Sequence, residues 1–192
     1  MIPAGILLTG GASRRMGADK ATLVVGEHTL AVRTARILAA VCDPAIEVGG
    51  GVSGLPATRE EPAGTGPLAA LLAGARHAGP TAADAAFVVV ACDLPHLSEV
   101  ALRRIADHPG NVSVVPVVAD RPQWACARWS PAARGAAERA FAAGARGLRV
   151  LGQAPDLVQL AVDDDAEAFT DVDDPDALRA LRDPPGDPAG AP

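Results

Sequence analysis

Short apolar runs alternate with longer segments of helical periodicity along the chain of 192 residues. Turn residues bound the apolar runs, and this alternation is typical of βαβ units around a parallel sheet. The run "AFVVVACD" is continuous and rich in Val, as expected of a central strand buried on both faces. The pattern predicts an α/β fold, a three-layer α/β/α sandwich with a mostly parallel, Rossmann-like sheet.

The same patterns place the individual elements. Strands are predicted at residues 5–8, 45–48, 57–59, 87–91, 112–118, 124–129 and 157–162. Helices are predicted at residues 30–40, 67–77, 98–106, 132–142 and 176–181, with a short helical turn at 148–152. Ser98 is a predicted N-cap, and Glu99 suits the positive end of its helix. We expect one domain over residues 1–182, followed by a flexible Pro/Gly tail at 183–192.

Composition and charge narrow the function classes. Aromatic residues make up 3% and the net charge is -6, so neither base stacking nor a basic field favours nucleic acid or anionic membranes as partners. The three cysteines stand far apart, which suggests neither a disulfide framework nor a zinc site. The start "MIPAGILL" is too short for a signal sequence, and no apolar run approaches the roughly 20 residues of a membrane span. We expect a cytoplasmic protein.

The segment "GILLTGGASRRMGADK" carries the strongest chemical signal. A short strand ending at Leu8 runs into Thr9, Gly10 and Gly11, and adjacent glycines let the main chain approach a ligand so that its N–H groups meet phosphate oxygens. Countercharge then comes from the basic residues Arg14, Arg15 and Lys20. A bare Gly-Gly turn is often only a tight connection, but the basic cluster favours a phosphate-binding loop.

The sequence does not match the motifs of other common nucleotide-binding and catalytic sites. No GxxxxGK[ST] loop occurs, and no GxGxxG follows the first strand, which disfavours a kinase, a GTPase or a dinucleotide oxidoreductase. The four histidines are scattered without ligand spacing, and no Ser-His-Asp or Cys-His order has an elbow-type context. Hydrolase chemistry therefore has no support.

Asp93 is the candidate metal ligand. It follows the most buried predicted strand, and ligands of open α/β sheets bind at the carboxyl ends of parallel strands. Mg²⁺ is commonly held by one or two carboxylates, with substrate phosphates completing the octahedron. The alternative is that Asp93 only caps the turn before Pro95.

The first motif resembles the LxGGxSxRMGxDK signature of the molybdenum cofactor guanylyltransferases and related nucleotidyltransferases. Four further matches follow in the same order: "GPLAAL", "VVVACDLPHL", "DRPQWACARW" and "TDVDDPDAL". The resemblance covers about residues 5 to 181 and implies a nucleotidyltransferase sheet. It implies a catalytic set of Arg15, Lys20 and Asp93, with Leu8, Thr9, Gly10 and Gly11 at the nucleotide.

Other site residues are implied by position in the family pattern. Glu61 stands near the place of an acidic residue that contacts base or ribose, and Gly49 where relatives often carry a base-contacting polar residue. A carboxylate can accept paired hydrogen bonds from guanine N1–H and its amino group. Asp171 and Asp173 replace the usual Asn-Val-Asn asparagines and are expected to complete the metal site or to cap a helix.

The implied reaction transfers GMP from GTP to the terminal phosphate of Mo-molybdopterin, with Mg²⁺ as cofactor and pyrophosphate as product. Arg121 is the candidate for the acceptor, and molybdoenzymes or their chaperones are implied partners. The alternatives are a CTP-dependent molybdopterin cytidylyltransferase or another small-molecule nucleotidyltransferase. The cytidylyltransferase usually has Gly-His-Pro after its Arg, where this chain has Pro122-Gln123-Trp124. A non-catalytic GTP- or cofactor-binding regulator and a purely structural adaptor are alternatives from other classes.

Overall fold

A computed structural model describes residues 2–10, 20–79 and 85–172 of the chain. Its strands are β1 Ala4–Leu8, β2 Val24–Val25, β3 His28–Thr29, β4 Ala45–Val48, β5 Ala57–Thr58, β6 Phe87–Ala91, β7 Ser113–Val118, β8 Arg121–Pro122, β9 Cys126–Trp129 and β10 Leu157–Ala161. Its α-helices are α1 Leu30–Val41, α2 Pro67–His77, α3 Glu99–Ala106 and α4 Pro131–Ala142. Shorter 3₁₀ segments lie at Lys20–Thr22, Leu148–Gln153 and Asp163–Phe169.

The central sheet has the strand order β10-β7-β9-β6-β1-β4-β5, with β8 paired to β7. Strand β1 pairs in parallel with β4 and β6, and β7 pairs in parallel with β10. Strand β9 is antiparallel to both of its neighbours. A parallel return needs a crossover of about a dozen residues, and the chain between β7 and β9 is shorter than that. The predicted mostly parallel sheet is confirmed, with β9 as its main exception.

Helices cover both faces of the sheet. Leu7, Val88 and Val90 pack on one face with residues of α1 and α3. The alternate residues of the same strands, such as Ile6 and Val89, pack on the other face with residues of α2 and α4. Because successive side chains of a strand point to opposite faces, one apolar strand supplies two cores. The expected three-layer sandwich is therefore present.

Short polar side chains start three of the helices. The hydroxyls of Thr29, Ser98 and Ser130 accept hydrogen bonds from the backbone N–H three residues further along. These bonds satisfy donors that have no partner inside the helix. The predicted N-cap at Ser98 is confirmed, and α3 begins at Glu99 as a result.

The predicted elements differ from the observed ones mainly where elements are short. The hairpin β2–β3 and strand β8 were not predicted, because two residues are too few to show an alternating pattern. The sequence "DDDAEAF" at residues 163–169 is more typical of a solvated acidic loop than of a second metal site. Instead Phe169 is fully buried, and Asp163 accepts a hydrogen bond of 2.8 Å from the Ala119 N–H. The predicted helix 176–181 and tail 183–192 lie outside the described residues.

Two further features concern the chain as a whole. Within the described residues, no helix has the length and apolar character needed to cross a membrane. Cys42, Cys92 and Cys126 are buried and form no disulfide. Their burial confirms the interpretation of these three well-separated cysteines as small core residues.

The contact between α2 and the sheet gives a stability prediction. A Cβ added at Gly74 would come within 2.8 Å of Ile6 Cγ2 and 2.9 Å of Val48 Cγ2. Overpacking costs about 1–3 kcal/mol, whereas Ala favours a helix over Gly by about 1 kcal/mol. We expect Gly74→Ala to lower the free energy of unfolding measured in urea.

The matched control is the same substitution in α4. A Cβ at Gly135 would meet only the flexible end of Arg139, at 3.5 Å. Gly135→Ala should therefore raise the free energy of unfolding by up to about 1 kcal/mol. An equal change in the free energy of unfolding for Gly74→Ala and Gly135→Ala would contradict the tight packing of α2 against the sheet.

Candidate active site at the carboxyl edge of the sheet

Strand register brings the first candidate residues to one edge of the sheet. Leu8 of β1 pairs with Ala91 of β6 and with Val48 of β4. Backbone bonds continue past the strands: Cys92 N–H donates to the Leu8 carbonyl at 3.2 Å, and Thr9 N–H to the Val48 carbonyl at 3.1 Å. The residues that follow these strands therefore lie side by side. They include Gly10 and Asp93.

A cleft of about 370 Å³ opens at this edge. Its described lining residues are Leu8, Thr9, Gly10, Lys20, Ala21, Pro67, Ala91, Cys92, Asp93, Trp124, Ala125, Gly147, Leu148 and Arg149. The volume suits a small organic ligand. The near wall comes from Thr9, Gly10 and Lys20, which follow β1 in the chain, and from the end of β6. The far wall comes from the segment before β9 and from the 3₁₀ segment Leu148–Gln153.

Lys20 and Asp93 meet inside the cleft. The Lys20 Nζ atom lies 3.6 Å from Asp93 Oδ2, and the two side chains are only 13% and 24% exposed. Lys20 is held there by its 3₁₀ segment, whose next residue, Ala21, is buried in the core beside α1. The structure therefore brings two of the predicted catalytic residues together, although they are 73 positions apart in sequence (93 − 20).

The C-terminal loop returns to the same place. The Val172 N–H donates a hydrogen bond of 3.0 Å to the Asp93 carbonyl. The Val172 side chain packs with Leu23 and Leu30, which fixes the loop to the start of α1. Asp171 is thus adjacent in sequence to a residue whose backbone is hydrogen-bonded to that of Asp93.

Glu47 is a functional candidate that sequence reasoning missed. Its side chain is fully buried at the end of β4, and the Thr9 hydroxyl donates a hydrogen bond to Oε1. The N–H groups of Gly51 and Val52 donate to Oε1 at 2.7 and 3.1 Å. The Ser53 N–H donates to Oε2 at 2.8 Å. The only sequence signal was an acid inside the apolar run "AIEV", which is unusual in a strand covered on both faces.

Hydrogen bonding governs the charge of Glu47. Burial has the largest single influence on its pKa and raises it. Hydrogen bonds from Ser53, Thr9 and Val52 oppose burial and together hold the pKa of Glu47 below its ordinary value of 4.5. Glu47 is therefore a carboxylate at neutral pH, despite its lack of exposure.

Gly49 lies directly against the first loop. Its φ is 152°, and a Cβ at this position would fall 2.2 Å from the Thr9 hydroxyl oxygen and 2.6 Å from the Gly10 nitrogen. The Gly49 N–H donates to the Thr58 carbonyl, and the Gly49 carbonyl accepts from Arg59 Nε at 2.9 Å. Only glycine fits here, and its N–H is already used within the fold.

Two other candidates stand apart from the cleft. Glu61 is exposed, and it is absent from the described residues that line the cleft. Arg121 is also exposed, on β8, and is likewise absent from that described lining. Glu60 accepts a hydrogen bond of 3.0 Å from the Gly64 N–H and so belongs to a local turn. The predicted residues Gly11, Arg15 and Asp173, with Arg14, lie outside the described residues.

The far wall of the cleft is formed by residues that were not predicted to line a site. Trp124 packs its ring edge near Gly152, where an added Cβ would come within 3.3 Å of the indole. The Arg146 carbonyl accepts a hydrogen bond of 3.0 Å from Leu68 N–H, which ties this wall to the start of α2. Arg149 is exposed and adds a positive charge to the lining. Trp124 lies within the motif "DRPQWACARW", but the motif gives it no specific role, and tertiary packing brings it to the cleft together with Arg149.

A resident metal would need few protein ligands here. Among the described residues, no group of three or more His, Cys, Asp or Glu side chains is placed to hold a metal ion. The oxygen donors at the cleft are Asp93, with Asp171 in the adjoining loop. This donor set fits Mg²⁺, which often takes one or two carboxylates and completes its shell with water and phosphate. It does not fit zinc, which prefers Cys and His.

The structure is an α/β protein with a cleft at the carboxyl ends of its strands, which is where open α/β sheets bind their ligands. The family model "MobA-like NTP transferase domain" matches residues 5–160. A "Probable molybdenum cofactor guanylyltransferase" from Mycobacterium avium is 34% identical over 190 residues, covering 93% of this chain and 94% of that protein. The chain therefore belongs to the MobA-like NTP transferase family and is a nucleotidyltransferase.

Other relatives agree with this assignment. A protein of the same name from Mycobacterium marinum is 40% identical over 102 residues, which is 50% of each chain. The crystal structure of molybdopterin-guanine dinucleotide biosynthesis protein A from Archaeoglobus fulgidus is similar with a TM-score of 0.73 at 20% identity, covering 93% of this chain and 96% of that one. A cytidylyltransferase from Thermus thermophilus is similar with a TM-score of 0.65 at 17% identity, covering 92% and 96%. These structural likenesses show the fold.

The buried carboxylate gives a prediction about pH. Because the folded pKa of Glu47 is lower than 4.5, the charged form contributes stability above that pH. The contribution is lost as pH falls through the lower, folded pKa. We expect Glu47→Gln to be less stable than the unaltered protein at pH 7, with a difference that narrows below about pH 4.5. Urea unfolding across this range measures it, and a difference that widens in acid would contradict the assignment.

Proposed function

We propose that the protein transfers GMP from GTP to the terminal phosphate of Mo-molybdopterin, forming molybdopterin guanine dinucleotide and releasing pyrophosphate. The observation that carries this proposal is that Lys20 and Asp93 face one cleft, 3.6 Å apart. The chain also matches a relative named as a molybdenum cofactor guanylyltransferase over 93% of its length. The three buried cysteines form no disulfide, which fits the cytoplasm as the place of the reaction.

In the proposed reaction, an oxygen of the acceptor phosphate attacks the α-phosphorus of GTP. A new P–O bond forms as the bond to pyrophosphate breaks, and no covalent enzyme intermediate is needed. Because both reactants are anionic, the protein contributes mainly by bringing them together and neutralising charge. Lys20 and the Gly10 backbone line the cleft where they can hold the triphosphate. Arg15 and Gly11 are proposed to assist from the same loop.

Asp93 and Asp171 are the residues proposed to hold Mg²⁺, with Asp173 as a further candidate. The partly exposed Asp93 carboxylate lies beside the proposed phosphate-binding ammonium of Lys20. Mg²⁺, when bound, would neutralise the phosphate oxygens and polarise the α-phosphate. The hydrogen bond from Val172 to the Asp93 backbone keeps the C-terminal loop beside this carboxylate.

The acceptor is proposed to enter along the far wall. Arg149 adds positive charge there, and Trp124 adds a flat apolar surface. A guanidinium can bind a phosphate through two parallel hydrogen bonds. We therefore prefer Arg149 to Arg121 as the contact for the acceptor phosphate, since Arg121 lies outside the described lining of the cleft. Glu61 and Gly49 stay candidates for the nucleoside.

The first test measures pyrophosphate release from each NTP with molybdopterin-loaded acceptor and Mg²⁺. We expect GTP to be preferred, and Asp93→Asn to lower kcat/KM at least about a hundredfold, because the lost charge weakens the proposed metal site. Chelation of Mg²⁺ should abolish release in the unaltered protein.

The control is Asp107→Asn. Asp107 is an exposed acid at the far end of α3, where it pairs with Arg103 at 3.6 Å. Its loss should leave kcat/KM within about twofold, because exposed pairs contribute little. A preference for CTP over GTP would instead support the alternative, a molybdopterin cytidylyltransferase. GTP binding without pyrophosphate release would indicate the non-catalytic regulator.

A second prediction separates the two basic candidates for the acceptor. We expect Arg149→Ala to raise KM for the acceptor about tenfold, through loss of a charge-assisted contact, while KM for GTP changes little. Arg121→Ala is the matched comparison and should change acceptor KM less. A larger effect of Arg121→Ala in steady-state kinetics would reverse the assignment.

A further inference from the structure

The buried carboxylate of Glu47 joins two loops that meet at the cleft. On one side it accepts the hydroxyl hydrogen of Thr9, the residue before Gly10. On the other side it accepts the N–H groups of Gly51, Val52 and Ser53. These four donors all lie in the loops after β1 and β4, which run side by side in the sheet. Through these hydrogen bonds, Glu47 links Thr9, at the start of the loop after β1, to residues 51–53.

Core stability alone does not account for a carboxylate at this position. Removing a carboxylate from water is costly, and an apolar side chain would bury more favourably in such a strand. What the carboxylate adds beyond burial is that it holds its four donors in fixed positions. Ile46 and Val48, the neighbours of Glu47 in β4, show that apolar side chains are accepted elsewhere in this strand.

Thr9 shows what this link does for the site. Its hydroxyl donates to Glu47 and also accepts a hydrogen bond of 3.3 Å from the Gly50 N–H. The Thr9 side chain is therefore engaged within the protein, and it spans the gap between β1 and the loop after β4. Gly10 and Gly49 consequently face each other closely, since an added Cβ at Gly10 would lie 3.6 Å from the Gly49 Cα.

We propose that Glu47 is a positioning residue for nucleotide binding: through Thr9 it fixes the Gly10 backbone relative to Gly49 and Gly50. This inference rests on the proposed function, because it takes the Gly10 loop as part of the nucleotide site. Preformed backbone geometry lowers the ordering cost of binding, so its loss weakens binding by the folded protein.

The experiment measures GTP binding with Mg²⁺ by isothermal titration calorimetry, together with thermal unfolding. Glu47→Gln keeps the side-chain size but replaces one acceptor oxygen with a donor that cannot serve the N–H groups. We expect Kd to rise about tenfold in Glu47→Gln and in Thr9→Val. The double variant should be no weaker than about the worse single variant, because both changes break one network.

Two controls separate positioning from general destabilisation. Thr34→Val removes another buried hydroxyl, which donates to the Leu30 carbonyl in α1 at 2.9 Å, away from the cleft lining. It should lower the melting temperature without changing Kd. Thr9→Ser keeps the hydroxyl and should bind GTP within about threefold of the unaltered protein.

The outcomes are distinct. A merely structural role would reduce the melting temperature and the binding stoichiometry while the Kd of the folded fraction stays unchanged, and this would overturn the inference. An equal rise of Kd in Thr34→Val would also overturn it. If the unaltered protein prefers CTP, the same comparison is made with CTP, and only the choice of base fails. If it binds neither nucleotide, the proposed function fails together with this inference.

Discussion

The parallel register of β1 between β4 and β6 is the constraint on which the site depends. Leu8 is level with both Val48 and Ala91, so the three strands end at one line across the sheet. Each following residue is then carried to the same edge: Gly10 from β1, Gly49 from β4 and Asp93 from β6. A shift of one residue in either pairing would turn the apolar side chains to the opposite face. Packing of the two cores therefore fixes the positions of the candidate site residues.

Much of this arrangement could be predicted from the sequence, for a physical reason. Strands covered on both faces are mostly apolar, and β1 and β6 therefore stand out as uninterrupted apolar runs. The residue types that follow these runs indicate phosphate and metal binding. Helix α3 could be placed because Ser98 supplies a cap with a recognisable residue type. Local sequence patterns of this kind are enough to predict the wall of the cleft where Lys20 and Asp93 lie.

The far wall could not be predicted in this way. Trp124 and Arg149 come from segments that are read as a strand start and a helical turn, and neither residue type specifies a ligand by itself. Their position depends on β9 returning antiparallel to β6 and on the contact between the Arg146 carbonyl and the start of α2. Glu47 was missed for a different reason: three of its four hydrogen-bond donors are backbone N–H groups, which have no sequence signature.

The acidic side chains near the cleft differ in their surroundings. The chain carries a net charge of -6, yet its proposed substrates are anions, so carboxylates near the cleft must be either useful or neutralised. Glu47 is close to the loop after β1, but its oxygens accept hydrogen bonds from four donors, which stabilise its negative charge. Asp93 keeps a partly exposed carboxylate beside Lys20, where a cation can use it. The two acids thus have opposite surroundings, and these match the tasks proposed for them: Glu47 positions the loop, and Asp93 binds the cation.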